Sequence, residues 1–192
     1  SFEIISDYLQ SWTYMIIWTL ISKDFLIIEN AREKDLYFFI EKMKEAWVKI
    51  ESLWNDTIKV YRSNELKPVS IQTNIFPWFP TDLQSPFAVL MTQAIWKSSI
   101  HEILFEWRLA WLIELEKMWV NLDIINHHEA IIRWWKSLKA AEVTSWDLRA
   151  WAAMIIAWLI ASWETKIWNV EYINRWYENI VSILSDLWAD IK

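Results

Sequence analysis

A chain of 192 residues without a single glycine must make every tight turn and every close helix contact with residues that carry a Cβ. Globular chains ordinarily hold about 7% glycine; this one holds none and carries eighteen tryptophans instead. The tryptophans stand where glycine is expected. In Lys44-Glu45-Ala46-Trp47-Val48-Lys49-Ile50, Glu116-Lys117-Met118-Trp119-Val120-Asn121-Leu122 and Ser185-Asp186-Leu187-Trp188-Ala189-Asp190-Ile191, a helical pattern ends just before the tryptophan and an alternating pattern begins just after it. The residue after a helix commonly turns left-handed, where the lack of a Cβ makes glycine the favoured choice. Trp54, Trp163 and the Trp134-Trp135 pair fall in turn-like slots as well. An aromatic surface for stacking nucleic-acid bases would gather its rings with Arg and Lys on one face, and these rings are spread along the whole chain. The pattern is read as systematic replacement of glycine by tryptophan. A chain bearing eighteen such indoles is expected to be badly destabilised.

The formal charge of −6 and pI near 5.1 disfavour a nucleic-acid partner and leave any phosphate recognition to individual arginines. With no cysteine, disulfides, thiolate metal sites and a cysteine nucleophile are excluded within the chain. Ser1-Phe2-Glu3-Ile4 lacks the charged and apolar regions of a signal peptide, and no apolar run approaches membrane-spanning length. A cytoplasmic setting and no membrane partner are therefore expected. The opening serine is read as the start of a piece of a longer protein.

Trp47, Trp119 and Trp188 lie 72 and 69 residues apart, which marks an internal repeat. Each unit offers a strongly apolar helix (8–21, 82–95 and 147–161) and an amphipathic helix (33–46, 109–118 and 177–187). Strands are expected at 25–29, 48–53, 57–61, 68–73, 99–104, 121–126, 129–133, 165–170 and 189–191. The fold class is α/β: a single domain over 1–192 with units of about 1–73, 74–143 and 144–192, apolar helices inside and sheets outside.

Phe76-Pro77-Trp78-Phe79-Pro80-Thr81-Asp82-Leu83-Gln84 is a proline-stiffened loop delivering Thr81 and Asp82 to the start of a buried helix. The simplest reading of those two side chains is helix capping, worth about 1 kcal/mol. Asp147 opens the third buried helix in the same way, while Arg149 sits in its first turn, where the helix dipole disfavours a cation. Arg149 either pairs with Asp147 or a neighbouring strand, or meets an anionic ligand at the helix amides. Arg108 and Arg175 occupy matching slots between a strand and the next helix, so Asp82, Arg108, Arg149 and Arg175 could share one face that binds phosphate or carboxylate. His101, His127 and His128 lack metal-ligand spacing, and there is no glycine-rich phosphate loop or nucleophile elbow.

With tryptophan read as glycine, the chain resembles the C-terminal portion of the UDP-N-acetylglucosamine enolpyruvyl transferases over essentially its whole length. The resemblance rests on Phe79-Pro80-Thr81-Asp82-Leu83-Gln84, Phe105-Glu106 followed by Arg108, Asp147-Leu148-Arg149-Ala150, Ala157-Trp158-Leu159-Ile160-Ala161, Arg175-Trp176-Tyr177-Glu178-Asn179-Ile180 and Leu187-Trp188-Ala189-Asp190-Ile191. It implies an inside-out, barrel-like α/β domain of three βαβαββ-type units. The implied reaction transfers enolpyruvyl from phosphoenolpyruvate to the 3-hydroxyl of UDP-N-acetylglucosamine in peptidoglycan precursor synthesis, with no cofactor and no metal. It also implies Asp82 as the acid/base carboxylate, Thr81 and Leu104 beside the sugar nucleotide, Asp147 among the substrate contacts, and Arg108, Arg149 and Arg175 on phosphoenolpyruvate. The family's lysine, further arginines and loop cysteine belong to an N-terminal domain with no counterpart in these residues, so the chain alone is expected to be inactive. An engineered or computed, non-catalytic scaffold with the same fold is the alternative.

Overall fold

The computed structural model describes residues 6–22, 24–134, 137–145, 150–169, 177 and 179–187. The first unit runs α1 (Tyr8–Ile21), β1 (Phe25–Ile28), α2 (Glu33–Glu45), β2 (Ile50–Leu53) and β3 (Thr57–Tyr61). The second runs β4 (Ser70–Gln72), α3 (Gln84–Thr92), β5 (Lys97–His101), α4 (Leu112–Lys117), β6 (Asn121–Ile124) and β7 (Glu129–Arg133). The third contributes β8 (Glu142–Thr144), α5 (Ala150–Ile160), β9 (Lys166–Trp168) and α6 (Ile180–Leu187). The βαβαββ order is complete in the second unit.

Each unit builds its own sheet, ordered β1-β3-β2, β4-β5-β7-β6 and β8-β9. β4 and β5 are parallel across α3, β8 and β9 are parallel across α5, and the remaining pairs are antiparallel. A parallel pair needs a crossover segment, and here each crossover is an apolar helix. The helices α1, α3 and α5 touch one another, and every residue of α3 is buried. Strand residues alternate toward this interior, as in Ile58 and Val60 of β3 or Ala130 and Ile132 of β7. The sheets are open, and among the described residues they form no closed barrel. What remains of the barrel-like expectation is a mixed α/β fold with apolar helices inside.

The repeat is visible in hydrogen bonds. After α2, Trp47 N–H donates to Lys44 O at 2.9 Å and Val48 N–H to Met43 O at 3.0 Å; after α4, Trp119 N–H donates to Glu116 O at 2.9 Å and Val120 N–H to Leu115 O at 3.1 Å. Both endings are Schellman motifs, with φ of 67° at Trp47 and 68° at Trp119. Lys67 N–H then donates to Ala46 O and Lys139 N–H to Met118 O, while each lysine's ammonium lies over the indole of its own unit at 3.5 and 3.6 Å. The third junction, at Trp188, and strand 189–191 lie outside the described residues. A left-handed residue with a Cβ costs about 1–2 kcal/mol, so these endings carry strain that glycine would not.

Several boundaries move. The expected helix 82–95 divides into a 3-10 turn, Thr81–Leu83, and the shorter α3. The amphipathic helices α4 and α6 begin three residues later than expected, after turns. The strand expected at 99–104 is β5, which starts at Lys97, paired with Arg133, and stops at His101, paired with Glu129. Trp54 lies in a turn, but the left-handed residues there are Asn55 and Asp56. β8 is not anticipated by the sequence pattern. No described helix is long and apolar enough to cross a membrane, and the described residues hold no group of three or more His, Cys, Asp or Glu placed for a metal ion.

Tyr177 ties the third unit to the first. Its hydroxyl meets Thr13 of α1 at 2.7 Å in the interior. Burial pushes the phenol up to about 12, with the Thr13 hydrogen bond acting in the opposite direction. The proton is thus held more tightly in the folded chain than in the unfolded one. Stability from this group is complete below the ordinary tyrosine value near 10 and is lost as pH rises toward about 12. Thermal melts across that window are expected to fall more steeply for the wild type than for Tyr177→Phe; equal slopes would contradict the assignment.

Candidate functional site at the end of the β4–β5 pair

The parallel strands β4 and β5 end side by side at Gln72 and His101, and the loops leaving them meet over the start of α3. In parallel α/β units the carboxyl ends of the strands are the usual place for a ligand. The β4 loop is pinned at its base, where Thr73 N–H donates to His101 O at 2.9 Å and Asn74 N–H to Phe79 O at 2.8 Å. Its tip carries the cis Phe76–Pro77 bond and the exposed Ile75, Phe76 and Trp78. Phe79 packs inward against Phe87, and Pro80 leads into the turn that presents Thr81 and Asp82.

Neither side chain caps a helix. The N-terminal positions of the 3-10 turn and of α3 are Pro80 and Leu83, and neither makes a side-chain cap bond. Thr81 instead lies between two charged groups on the β5 loop. Its hydroxyl donates to Glu102 Oε2 at 2.6 Å and accepts from Arg108 Nη1 at 3.0 Å. Asp82 lies 3.5 Å from Arg108 Nη2, with 29% of its side chain exposed against 5% for the arginine. Arg108 also spreads its guanidinium over the Phe105 ring, 4.6 Å from the centroid. The capping expectation fails because charged partners are in reach, and charge-assisted hydrogen bonds outweigh neutral ones.

Glu102 is the residue the sequence reading missed. It is fully buried: Oε1 accepts Leu104 N–H at 2.9 Å and Phe105 N–H at 3.3 Å, and Oε2 takes the Thr81 hydroxyl. Its backbone is clamped by the β6–β7 hairpin, since Glu102 N–H donates to His128 O at 2.7 Å and His128 Nδ1 donates to Glu102 O at 2.6 Å. Because a carbonyl only accepts, this bond requires a proton on His128 Nδ1. A signal was present in the sequence: Ser98, Ile100 and Glu102 alternate onto one buried face, so a carboxylate there needed an internal partner.

Thr81, Asp82 and Arg108 therefore form one connected cluster, with Leu104 on the same loop and bonded to Glu102. Leu104 belongs to that loop and not to β5. Asp147, Arg149 and Arg175 lie outside the described residues. Trp107, at φ 62°, precedes Arg108, and its exposed indole lies 3.7 Å from the His127 ring. The arrangement holds a half-open carboxylate beside a fixed cation at the start of a helix. Such a site can exchange a proton with a bound hydroxyl and neutralise an anion.

The sequence profile of EPSP synthase (3-phosphoshikimate 1-carboxyvinyltransferase) matches residues 1–184, and the chain belongs to that family. Among curated relatives, the UDP-N-acetylglucosamine 1-carboxyvinyltransferase of Halothermothrix orenii is 39% identical over 190 residues, covering 99% of this chain and 45% of the relative. The UDP-N-acetylglucosamine 1-carboxyvinyltransferase 2 of Geobacillus kaustophilus is 35% identical over 188 residues, covering 98% and 43%. In structure the chain is similar to the enolpyruvyl transferase NikO from Streptomyces tendae, with a TM-score of 0.89 at 21% identity over 98% of this chain and 44% of that one. EPSP synthase from Acinetobacter baumannii aligns with a TM-score of 0.65 at 12% identity, covering 86% and 39%. The structural likenesses bear on the fold alone. The chain spans less than half the length of the curated relatives it matches.

Proposed function

We propose that this chain forms one half of an enolpyruvyl transferase acting on UDP-N-acetylglucosamine and phosphoenolpyruvate, as a single domain of units 1–73, 74–143 and 144–192. In that reaction the sugar 3-hydroxyl oxygen bonds to C2 of phosphoenolpyruvate. The bond from C2 to the phosphate oxygen breaks, and the hydroxyl proton leaves with inorganic phosphate. Asp82 is the group that exchanges the proton, Thr81 and Leu104 lie along the sugar nucleotide, and Asp147 contributes a substrate contact. Arg108, with Arg149 and Arg175, neutralises phosphoenolpyruvate. A place in peptidoglycan precursor synthesis and a cytoplasmic setting go with those substrates.

The observation that carries this proposal is the Asp82–Arg108 pair, a carboxylate left partly open to solvent while its cation is sunk in the protein. A buried arginine holds its charge and position for an anion, and an accessible carboxylate can reach a hydroxyl. The sugar-nucleotide acceptor is favoured by the identities of 35–39% to the UDP-N-acetylglucosamine enzymes.

These 192 residues span less than half the length of the curated relatives, so on their own they would supply only one wall of the proposed cleft. The isolated chain is expected to release no phosphate from the two substrates together. Turnover by the chain alone would sink the two-half proposal.

A further inference from the structure

We infer that the cell that makes this protein decodes as glycine the codon behind its tryptophan positions, so that the chain it makes carries glycine at all eighteen. Ten described residues have positive φ, and every one is Asn, Asp or Trp. Asn and Asp tolerate the left-handed region through their short polar side chains. Tryptophan has no such excuse, yet it takes five of the ten places: Trp47, Trp96, Trp107, Trp119 and Trp163, with φ from 62° to 87°. No other residue with a bulky side chain joins them. Two of the five close Schellman motifs, whose left-handed position is glycine's commonest helix-ending role.

The side chains themselves argue the same way. All five left-handed indoles are exposed, Trp163 by 88%, and the turn residue Trp54 by 91%. In the interior, Trp12 and Trp151 lie on the mutually packed helices α1 and α5, and their indole nitrogens have no hydrogen-bond partner among the described residues. A buried indole N–H normally finds one. Glycine at these places would let the helices approach closely and leave no orphaned donor. Trp111, at φ −62° with its indole N–H reaching Gln84 Oε1, is one of several described tryptophans, Trp54, Trp78 and Trp134 among them, where backbone geometry alone does not ask for glycine.

One codon read differently explains both counts at once. A chain this long would ordinarily hold about 13 glycines, and eighteen tryptophans with no glycine are that complement under another name. The inference requires that these 192 residues use no standard glycine codon. It also bears on the site, where glycine at 107 removes the indole beside Arg108 and opens the backbone to a ligand.

Protein purified from its own cells, analysed by intact mass and peptide sequencing, tests this. The expected result is glycine at 47, 107, 111 and 119, a mass reduced by eighteen indole side chains, and no indole fluorescence. The gene is expected to carry one codon at all eighteen positions, and not UGG. Tryptophan in the peptides spanning 47 and 119, or UGG in the gene at those positions, overturns the inference, and a deliberate substitution by design would give that outcome.

A second inference rests on separate atoms and on the function proposed above: the geometry points to Glu102 as a positioning residue for the reaction. Its carboxylate can only accept, so the Thr81 hydroxyl must donate to it, which leaves an oxygen lone pair facing Arg108. Reversing that polarity disorders the arginine that neighbours Asp82. In the full-length enzyme, Glu102→Gln is expected to lower kcat about 10- to 100-fold with KM for the sugar nucleotide nearly unchanged. Thr81→Val, at a residue placed along the sugar nucleotide, is expected to lower kcat by a similar factor and to raise that KM as well. Thr81→Ser, which keeps the hydroxyl, is expected to retain most of the rate. If the wild type lacks carboxyvinyl transfer, the functional proposal fails. If the wild type is active and Glu102→Gln matches it, or loses only thermal stability, the positioning role fails.

Discussion

Asp82→Asn in the full-length enzyme is expected to cut kcat by about 100- to 10,000-fold, the range usual for loss of a positioned acid or base. The substitution keeps shape and lets an amide oxygen face Arg108, which now lies 3.5 Å from the carboxylate. What it removes is the capacity to take a proton from a bound hydroxyl. Steady-state phosphate release should therefore show the loss in kcat, with KM for the sugar nucleotide within a few-fold of wild type. The opposite split, a raised KM with kcat intact, would make Asp82 a binding group only. The side chain's partial exposure makes a folding defect an unlooked-for cause, and an unchanged melting temperature would exclude one.

The second large effect is on stability. Replacing the five left-handed tryptophans by glycine relieves about 1–2 kcal/mol at each position. Glycine's extra freedom in the unfolded chain returns about 0.5–1 kcal/mol of that. The net gain is about 3–5 kcal/mol over the five sites, a large part of the roughly 5–15 kcal/mol that holds a domain together. All five indoles are exposed, so their removal leaves no cavity to offset the gain. Urea unfolding of the two polypeptides, identical except at Trp47, Trp96, Trp107, Trp119 and Trp163, measures the difference. Equal midpoints, or a more stable indole form, would show that the left-handed positions carry no strain.

The buried helices and most strands could be read from periodicity because each uses one period long enough to register. The boundaries of Tyr8–Ile21, Thr57–Tyr61 and Glu129–Arg133 follow directly from it. β8 escaped because three residues, Glu142–Thr144, show barely one alternation, and its place is set by pairing with β9. The site divides in the same manner. Asp82, Thr81 and Arg108 stood out through proline-stiffened context and matched repeat slots, and they do meet in space. Their partners did not stand out, since Glu102 is joined to Thr81 by tertiary contact across 21 residues, and local rules favoured a helix cap. The left-handed helix endings at Trp47 and Trp119 were legible for an unusual reason: the residue least suited to them marked their positions.

Phosphate release by the full-length enzyme, with phosphoenolpyruvate and either UDP-N-acetylglucosamine or shikimate 3-phosphate, is the most direct measurement. The proposed function requires release that depends on the sugar nucleotide and is absent with the shikimate acceptor. Release with shikimate 3-phosphate alone, or none with either acceptor, would contradict it.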